Sequence, residues 1–154
     1  MQQKITPFLM FNGKSEEAAN FYVSIFKNSK IKTVKHLGGA VKSVTFEIEG
    51  QDFFALDGGP PCDFTMAISL FVDCKGQQEV DELWEKLSAG GEKLPCGWLR
   101  DKYGLCWQII PSELGQLMGD MDAEKSGRVM QAMMKMQKID IETIKRAYDG
   151  KSAA

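Results

Sequence analysis

Hydrophobic positions change period several times along the chain, and each change marks an element. Ile5 to Phe11 is an apolar run that reads as a strand. Ser15 reads as a helix N-cap, followed by Glu16 and Glu17. Its hydroxyl can accept from the first free N–H groups, and the acids complement the positive end of the helix dipole. Ala19, Tyr22, Val23 and Phe26 recur at helical spacing with one apolar stripe. Strand alternation returns over Lys30 to Leu37, and Gly38-Gly39 turns the chain. Val44, Phe46 and Ile48 then alternate with Thr45, Glu47 and Glu49, the mark of a half-buried strand. Gly50-Gln51 turns into a strand over Asp52 to Leu56, and Asp57-Gly58-Gly59-Pro60-Pro61 is the strongest break in the chain.

The same order then repeats. Phe64 to Val72 reads as a strand and Gln77 to Ser88 as a helix stopped by Ala89-Gly90-Gly91. Short strands follow at Glu92 to Pro95 and Gly97 to Asp101, and Leu105 to Ile110 closes the unit. A shift of 61 positions carries Ala19, Tyr22, Val23 and Phe26 onto Val80, Leu83, Trp84 and Leu87, so one helical stripe maps onto the other. Towards the end of each unit the shift is 54, carrying Phe53 to Trp107 and Ala55 to Ile109. Beyond Pro111 the pattern is helical. Asp122 caps a helix through Gln137, Asp140 caps a second, and Lys151 to Ala154 are expected to fray. The expected class is α+β: two tandem βαβββ modules forming a cupped mixed sheet, plus C-terminal helices. The modules span about 4–59 and 64–111 and the helical tail 112–150, within one domain over 1–150.

Composition narrows the partners. Nineteen Lys and Arg against 21 Asp and Glu give a net charge of -2, which argues against a general nucleic-acid binder. The N-terminus does not read as a secretory leader, and no apolar stretch approaches the roughly 20 residues of a membrane span. Cys62, Cys74, Cys96 and Cys106 form no CxxC pair, so reduced thiols in a cytoplasm are expected rather than a zinc site.

The stretches TPFLMFNGKSEEAANFY, FEIEGQDFFALDGGP, ISLFVDC, CGWLRDKYGLCWQIIP and MKMQKIDIETIKRAYDG resemble the vicinal oxygen chelate (glyoxalase/bleomycin resistance/dioxygenase) superfamily. The match is to its PhnB-like branch, labelled a 3-demethylubiquinone-9 3-methyltransferase domain. The resemblance implies two sheets facing each other around a cavity, a homodimer, and in catalytic relatives a divalent metal held by four side chains. Mapped onto this sequence, those four positions are Thr6, Phe54, Ala67 and Gln108. Phe and Ala carry no donor, and Thr and an amide are weak ones, so no metal and no cofactor are expected. The methyltransferase label finds no support, because there is no GxGxG after a strand and no α/β alternation.

What remains is a pocket for an unidentified small molecule, lined by Thr6, Phe8, Thr45, Glu47, Phe54, Ser69, Trp98 and Gln108. Alternation turns Ser69 and Phe71 towards this pocket and Trp107 towards the sheet–helix core. Glu47 is the one carboxylate expected inside the cup, as an acid or base if enclosed, or as a solvated group if its strand is an edge. His36 reads as a surface turn residue, Cys96 as an inert thiol, Arg100-Asp101 as a turn ion pair, and the Met-rich tail as core or dimer surface. An enzyme of lyase, isomerase or dioxygenase type using the same pocket is the alternative.

Overall fold

The computed structural model describes residues 3–151. The chain divides into two compact units, meeting between Asp63 and Phe64. The first runs β1 (Phe8–Phe11), α1 (Ser15–Ile25), β2 (Ser29–Gly38), β3 (Val41–Ile48) and β4 (Gln51–Asp57). The second runs β5 (Ser69–Cys74), α2 (Gln77–Ser88), β6 (Glu92–Lys93), β7 (Trp98–Arg100) and β8 (Cys106–Pro111). It then continues into α3 (Ser112–Met118), α4 (Ala123–Met133) and α5 (Ile141–Tyr148). Each unit holds a four-stranded mixed sheet, ordered β1-β4-β3-β2 and β5-β8-β7-β6, so the expected α+β class and the βαβββ repeat both hold.

The first sheet packs its helix face as the alternation requires. Val44, Phe46, Ile48, Phe53 and Ala55 are buried on that face with Tyr22 and Ala19 of α1. The rings of Tyr22 and Phe46 stack at 6.2 Å and those of Phe46 and Phe53 at 5.3 Å. Burial of each such side chain contributes about 1.5–3 kcal/mol. In the second unit Trp84, Leu87, Leu99, Trp107 and Ile109 fill the equivalent layer.

Several boundaries differ from expectation, three of them through side-chain hydrogen bonds and one through backbone turns. The first strand begins at Phe8 rather than Ile5, because the Gln3 amide ties down the entering chain by donating to the Ile5 carbonyl at 2.8 Å. The fifth strand begins at Ser69 rather than Phe64. The Thr65 hydroxyl accepts the Ala67 N–H at 3.2 Å and a turn forms there, while the strand runs on to Cys74. Ser15 is the first helical residue rather than the cap, and the Asp57 carboxylate accepts from its N–H. The helix expected to reach Gln137 stops at Met133, where the N–H groups of Lys135 and Met136 bond in tight turns to the carbonyls three residues back.

The tail belongs to the second unit. Asp122 and Asp140 cap α4 and α5 as expected, accepting N–H groups at 3.0 Å and 2.7 Å. A cluster of Ile110, Leu114, Val129, Ile139 and Ile144 joins the end of β8 to all three helices. The N–H groups of Cys96 and Gly97, just before β7, donate to the carbonyls of Met136 and Gln137 at 2.9 Å and 2.7 Å. Gln77, at the start of α2, donates to the Ile139 carbonyl at 3.0 Å and accepts the Ile141 N–H at 2.8 Å. At the chain end the Lys151 N–H bonds the Arg146 carbonyl at 2.9 Å, so Lys151 is not frayed; the rest of the segment expected to fray, 152–154, lies outside the described residues. No helix among the described residues is long and apolar enough to cross a membrane.

Candidate functional site

Each sheet covers one face with its own helix and leaves the other open, and the open faces carry most of the expected pocket residues. In the first sheet Phe8, Phe54 and Thr45 stand side by side across three strands. The rings of Phe8 and Phe54 lie 6.1 Å apart and tilted by 60°, and they remain 56% and 40% exposed. Together they form a small exposed apolar patch. Thr6 lies before β1 at the margin of this face, with its hydroxyl accepting from the Gln3 amide at 3.3 Å.

Glu47 lies on the same face, but its setting differs from both expectations. Its strand β3 is interior, between β4 and β2. The surroundings are charged rather than apolar: the Lys32 ammonium is 2.9 Å from one carboxylate oxygen and Lys30 is 3.7 Å from the other. Lys32 also pairs with Asp52, the cross-strand neighbour of Glu47. Asp52 first, then Glu47, hold the Lys32 ammonium above the ordinary lysine range, so it stays a fixed cation. β2 carries a bulge at Lys32: Lys30 stands beside Glu47 and Ile31 beside Phe46, but Thr33 rather than Lys32 stands beside Thr45, so alternation along β2 reverses there.

In the second sheet Phe71, Gln108 and Trp98 form the corresponding row across β5, β8 and β7. Gln108 and Trp98 are half-buried, and Phe71 is 59% exposed. The Gln108 side-chain N–H donates to the Ser69 hydroxyl at 2.9 Å. The two sheets differ in register: Phe8 stands beside Phe54, whereas Phe71 rather than Ser69 stands beside Gln108. The 61-residue repeat therefore slips by two positions at the first strand of each unit, which keeps the face but changes the neighbour.

Trp107 belongs to the helix-side core, and its indole N–H donates to the buried Asp101 carboxylate at 2.9 Å. That carboxylate also accepts the N–H groups of Tyr103 and Leu105, so Asp101 braces the β7–β8 turn. Arg100, expected to pair with Asp101 in the turn, reaches the Glu92 carboxylate at 3.0 Å. His36 is exposed in β2 itself, beside Lys42, rather than in a turn. Cys96 is half-buried with a left-handed backbone, φ 62°. Burial pushes the Cys74 thiol up to about 12, with Glu79 and Asp73 adding to it.

The four metal positions do not assemble a donor set. Ala67 sits in a turn, Phe54 offers a ring, Thr6 lies before its strand, and Gln108 is bonded to Ser69. Among the described residues no three His, Cys, Asp or Glu side chains converge to hold a metal ion.

Residues 3–110 match the family described as 3-demethylubiquinone-9 3-methyltransferase. A PhnB protein from Bacillus cereus bearing the same methyltransferase description is 36% identical, with a TM-score of 0.64, over 71% of this chain and 100% of its own. This chain belongs to that PhnB-like family. Its two βαβββ units are the tandem modules of the vicinal oxygen chelate fold. A Pseudomonas aeruginosa protein shares the fold at 17% identity and a TM-score of 0.60, covering 69% of this chain and 95% of its own. So does the fosfomycin resistance protein FosX of Listeria monocytogenes, solved with Mn(II) and sulfate. It is 20% identical, with a TM-score of 0.53, over 70% of this chain and 89% of its own. Among curated proteins the chain has no match. The family match ends at residue 110, so α3 to α5 lie beyond it.

Proposed function

We propose that this PhnB-like protein binds a small molecule on the open faces of its sheets, without a divalent metal. The observation that carries this reading is the pairing of exposed rings with absent ligands. Phe8, Phe54 and Phe71 stand uncovered on those faces, and Phe54 and Ala67 occupy positions where a metal would need donors. Rings of this kind supply contact area, and Thr45, Ser69 and Gln108 beside them supply polar atoms that fix orientation. The methyltransferase description of the family finds no support in these elements: among the described residues neither unit contains a strand, Gly-rich loop and helix of the nucleotide-binding kind.

A thermal-shift panel of metabolites, run in EDTA and again with Mn(II), tests the reading. A ligand that raises Tm equally in both supports it. Stabilisation that requires Mn(II), one tightly bound divalent ion per chain by elemental analysis, or no stabilising small molecule would overturn it. A cytoplasmic homodimer is proposed with it, and a monomer by light scattering would remove the dimer.

Catalysis on the same faces is the second reading, favoured by the contact of Glu47 with Lys32. A cation held charged by two carboxylates suits binding better than proton transfer. Activity that survives both Glu47→Gln and Gln108→Leu would eliminate this assignment.

A further inference from the structure

The helical tail holds a cavity of about 490 Å³ between α4 and α5, with Arg128, Ala132, Lys135, Asp140, Ala147 and Gly150 in its walls. That volume suits a small molecule. Arg128, Ala132 and Lys135 recur at helical spacing along α4 and the turns that continue it, so they share one side. Ala132 and Ala147 carry only methyl groups there, which leaves the space between the helices open.

Arg128 offers this space the face of its guanidinium rather than its edge. Its Nε–H donates to the Ala147 carbonyl at 2.9 Å and its Nη2 to that of Tyr148 at 2.7 Å, and Nη1 stands 3.2 Å from a Glu124 carboxylate oxygen. Each nitrogen has a partner, so the plane is held still. Gly150 lies over that plane. A Cβ added there would stand 3.8 Å from both Cζ and Nε and 3.9 Å from Nη2. An approach within the plane would bring a nitrogen nearer than the central carbon, so these equal distances put the point above the face. They are also the distances of stacked atoms in van der Waals contact. Glycine therefore leaves a stacking position on the guanidinium unfilled.

Lys135 lies seven residues on from Arg128, about 10 Å along the helix. Among the described residues it makes no ion pair. Asp140, the one carboxylate in the described lining, is engaged as the α5 cap, accepting the Thr143 N–H at 2.7 Å. A bare cationic face and an unpaired ammonium thus stand about one bicyclic ring system apart.

We propose that this groove binds a planar aromatic carboxylate. Its ring would stack on the Arg128 guanidinium where Gly150 leaves it bare, and its carboxylate would meet Lys135. A guanidinium already bonded along its edge has only its face to give, which selects flat π systems. The Lys135 ammonium selects negative charge. No strand residue lines the groove among those described, so the assignment stands independently of the small-molecule reading for the sheet faces.

Calorimetric titration of the full chain with 2-naphthoate, 2-naphthamide and decahydro-2-naphthoate tests it. Naphthoate is expected to bind about threefold more tightly than either, because the amide lacks the charge and the decahydro acid lacks the π system. Lys135→Gln should bring naphthoate to the level of its amide. Arg128→Lys, which keeps the charge but not the plane, should bring it to the level of the decahydro acid. If Arg128→Lys unfolds the tail, the Arg128 Nε–H resonance of the unaltered chain decides. It should move upfield when naphthoate is added and hold its place with the decahydro acid. Equal affinity for the three ligands, no binding by any of them, or an unmoved Nε–H resonance would overturn the proposal. So would naphthoate binding that Phe54→Leu weakens and Lys135→Gln spares, since the ring would then sit on the first sheet.

Discussion

The carboxylate of Asp57, at the end of β4, accepts the backbone N–H of Ser15 at 3.0 Å and its hydroxyl at 2.5 Å. A strand residue 42 positions away thus caps the first helix, from a site only 3% exposed. Asp57→Ala would leave both buried Ser15 donors without an acceptor. A loss of about 2–4 kcal/mol is expected, read by urea unfolding. Asp57→Asn keeps one acceptor oxygen and should lose less. Equal stability of wild type and Asp57→Ala would show that water replaces the cap.

Gly97 offers a sharper steric case. Its φ is +79°, and an added Cβ would stand 2.7 Å from Ile110 Cδ1 and 3.0 Å from the Ile109 carbonyl oxygen. Left-handed strain and overpacking act together, so Gly97→Ala should cost about 2–4 kcal/mol. Gly104, also at positive φ but facing open space, should cost less when changed to Ala. The ranking of the two melting temperatures checks this.

Cys74 gives stability a pH dependence on the alkaline side. Its thiol titrates at about 12 when folded against an ordinary 9.0. Between those values the folded chain keeps a proton that the unfolded chain loses, so stability is full below pH 9 and falls as pH rises towards 12. From pH 8 to pH 10 the loss from this group is roughly 1 kcal/mol. Urea unfolding in reductant at both pH values should show a smaller drop for Cys74→Ala than for wild type. Equal drops would mean that Cys74 ionises normally.

Much of this fold is legible in the sequence because its signals are local. The helix Gln77–Ser88 follows from a stripe at helical spacing and a Gly-Gly stop, and the burial of Trp107 follows from period-two alternation. The elements that escape are set by distant partners. No window around Ser15 contains Asp57, and the strand at Ser69 is delayed by one Thr65 hydroxyl. The candidate site divides in the same way. Alternation foreshadows the face that Phe71 shares with Ser69, but not its place beside Gln108, which a two-residue slip of the repeat sets. Asp52 stands beside Glu47 through the β3–β4 hairpin, but the bulge at Lys32, which sets Thr33 beside Thr45, leaves little trace in the sequence.

The seam between the second sheet and the tail sets where this chain can open. Because the amides of Cys96 and Gly97 are held by Met136 and Gln137, helices α4 and α5 cannot lift away without unprotecting backbone beside β7. Hydrogen exchange at those two amides therefore reports the opening of the tail, and the tail and the end of the second sheet form one cooperative unit. A chain cut after residue 110, where the family match stops, would lose that unit's closing half.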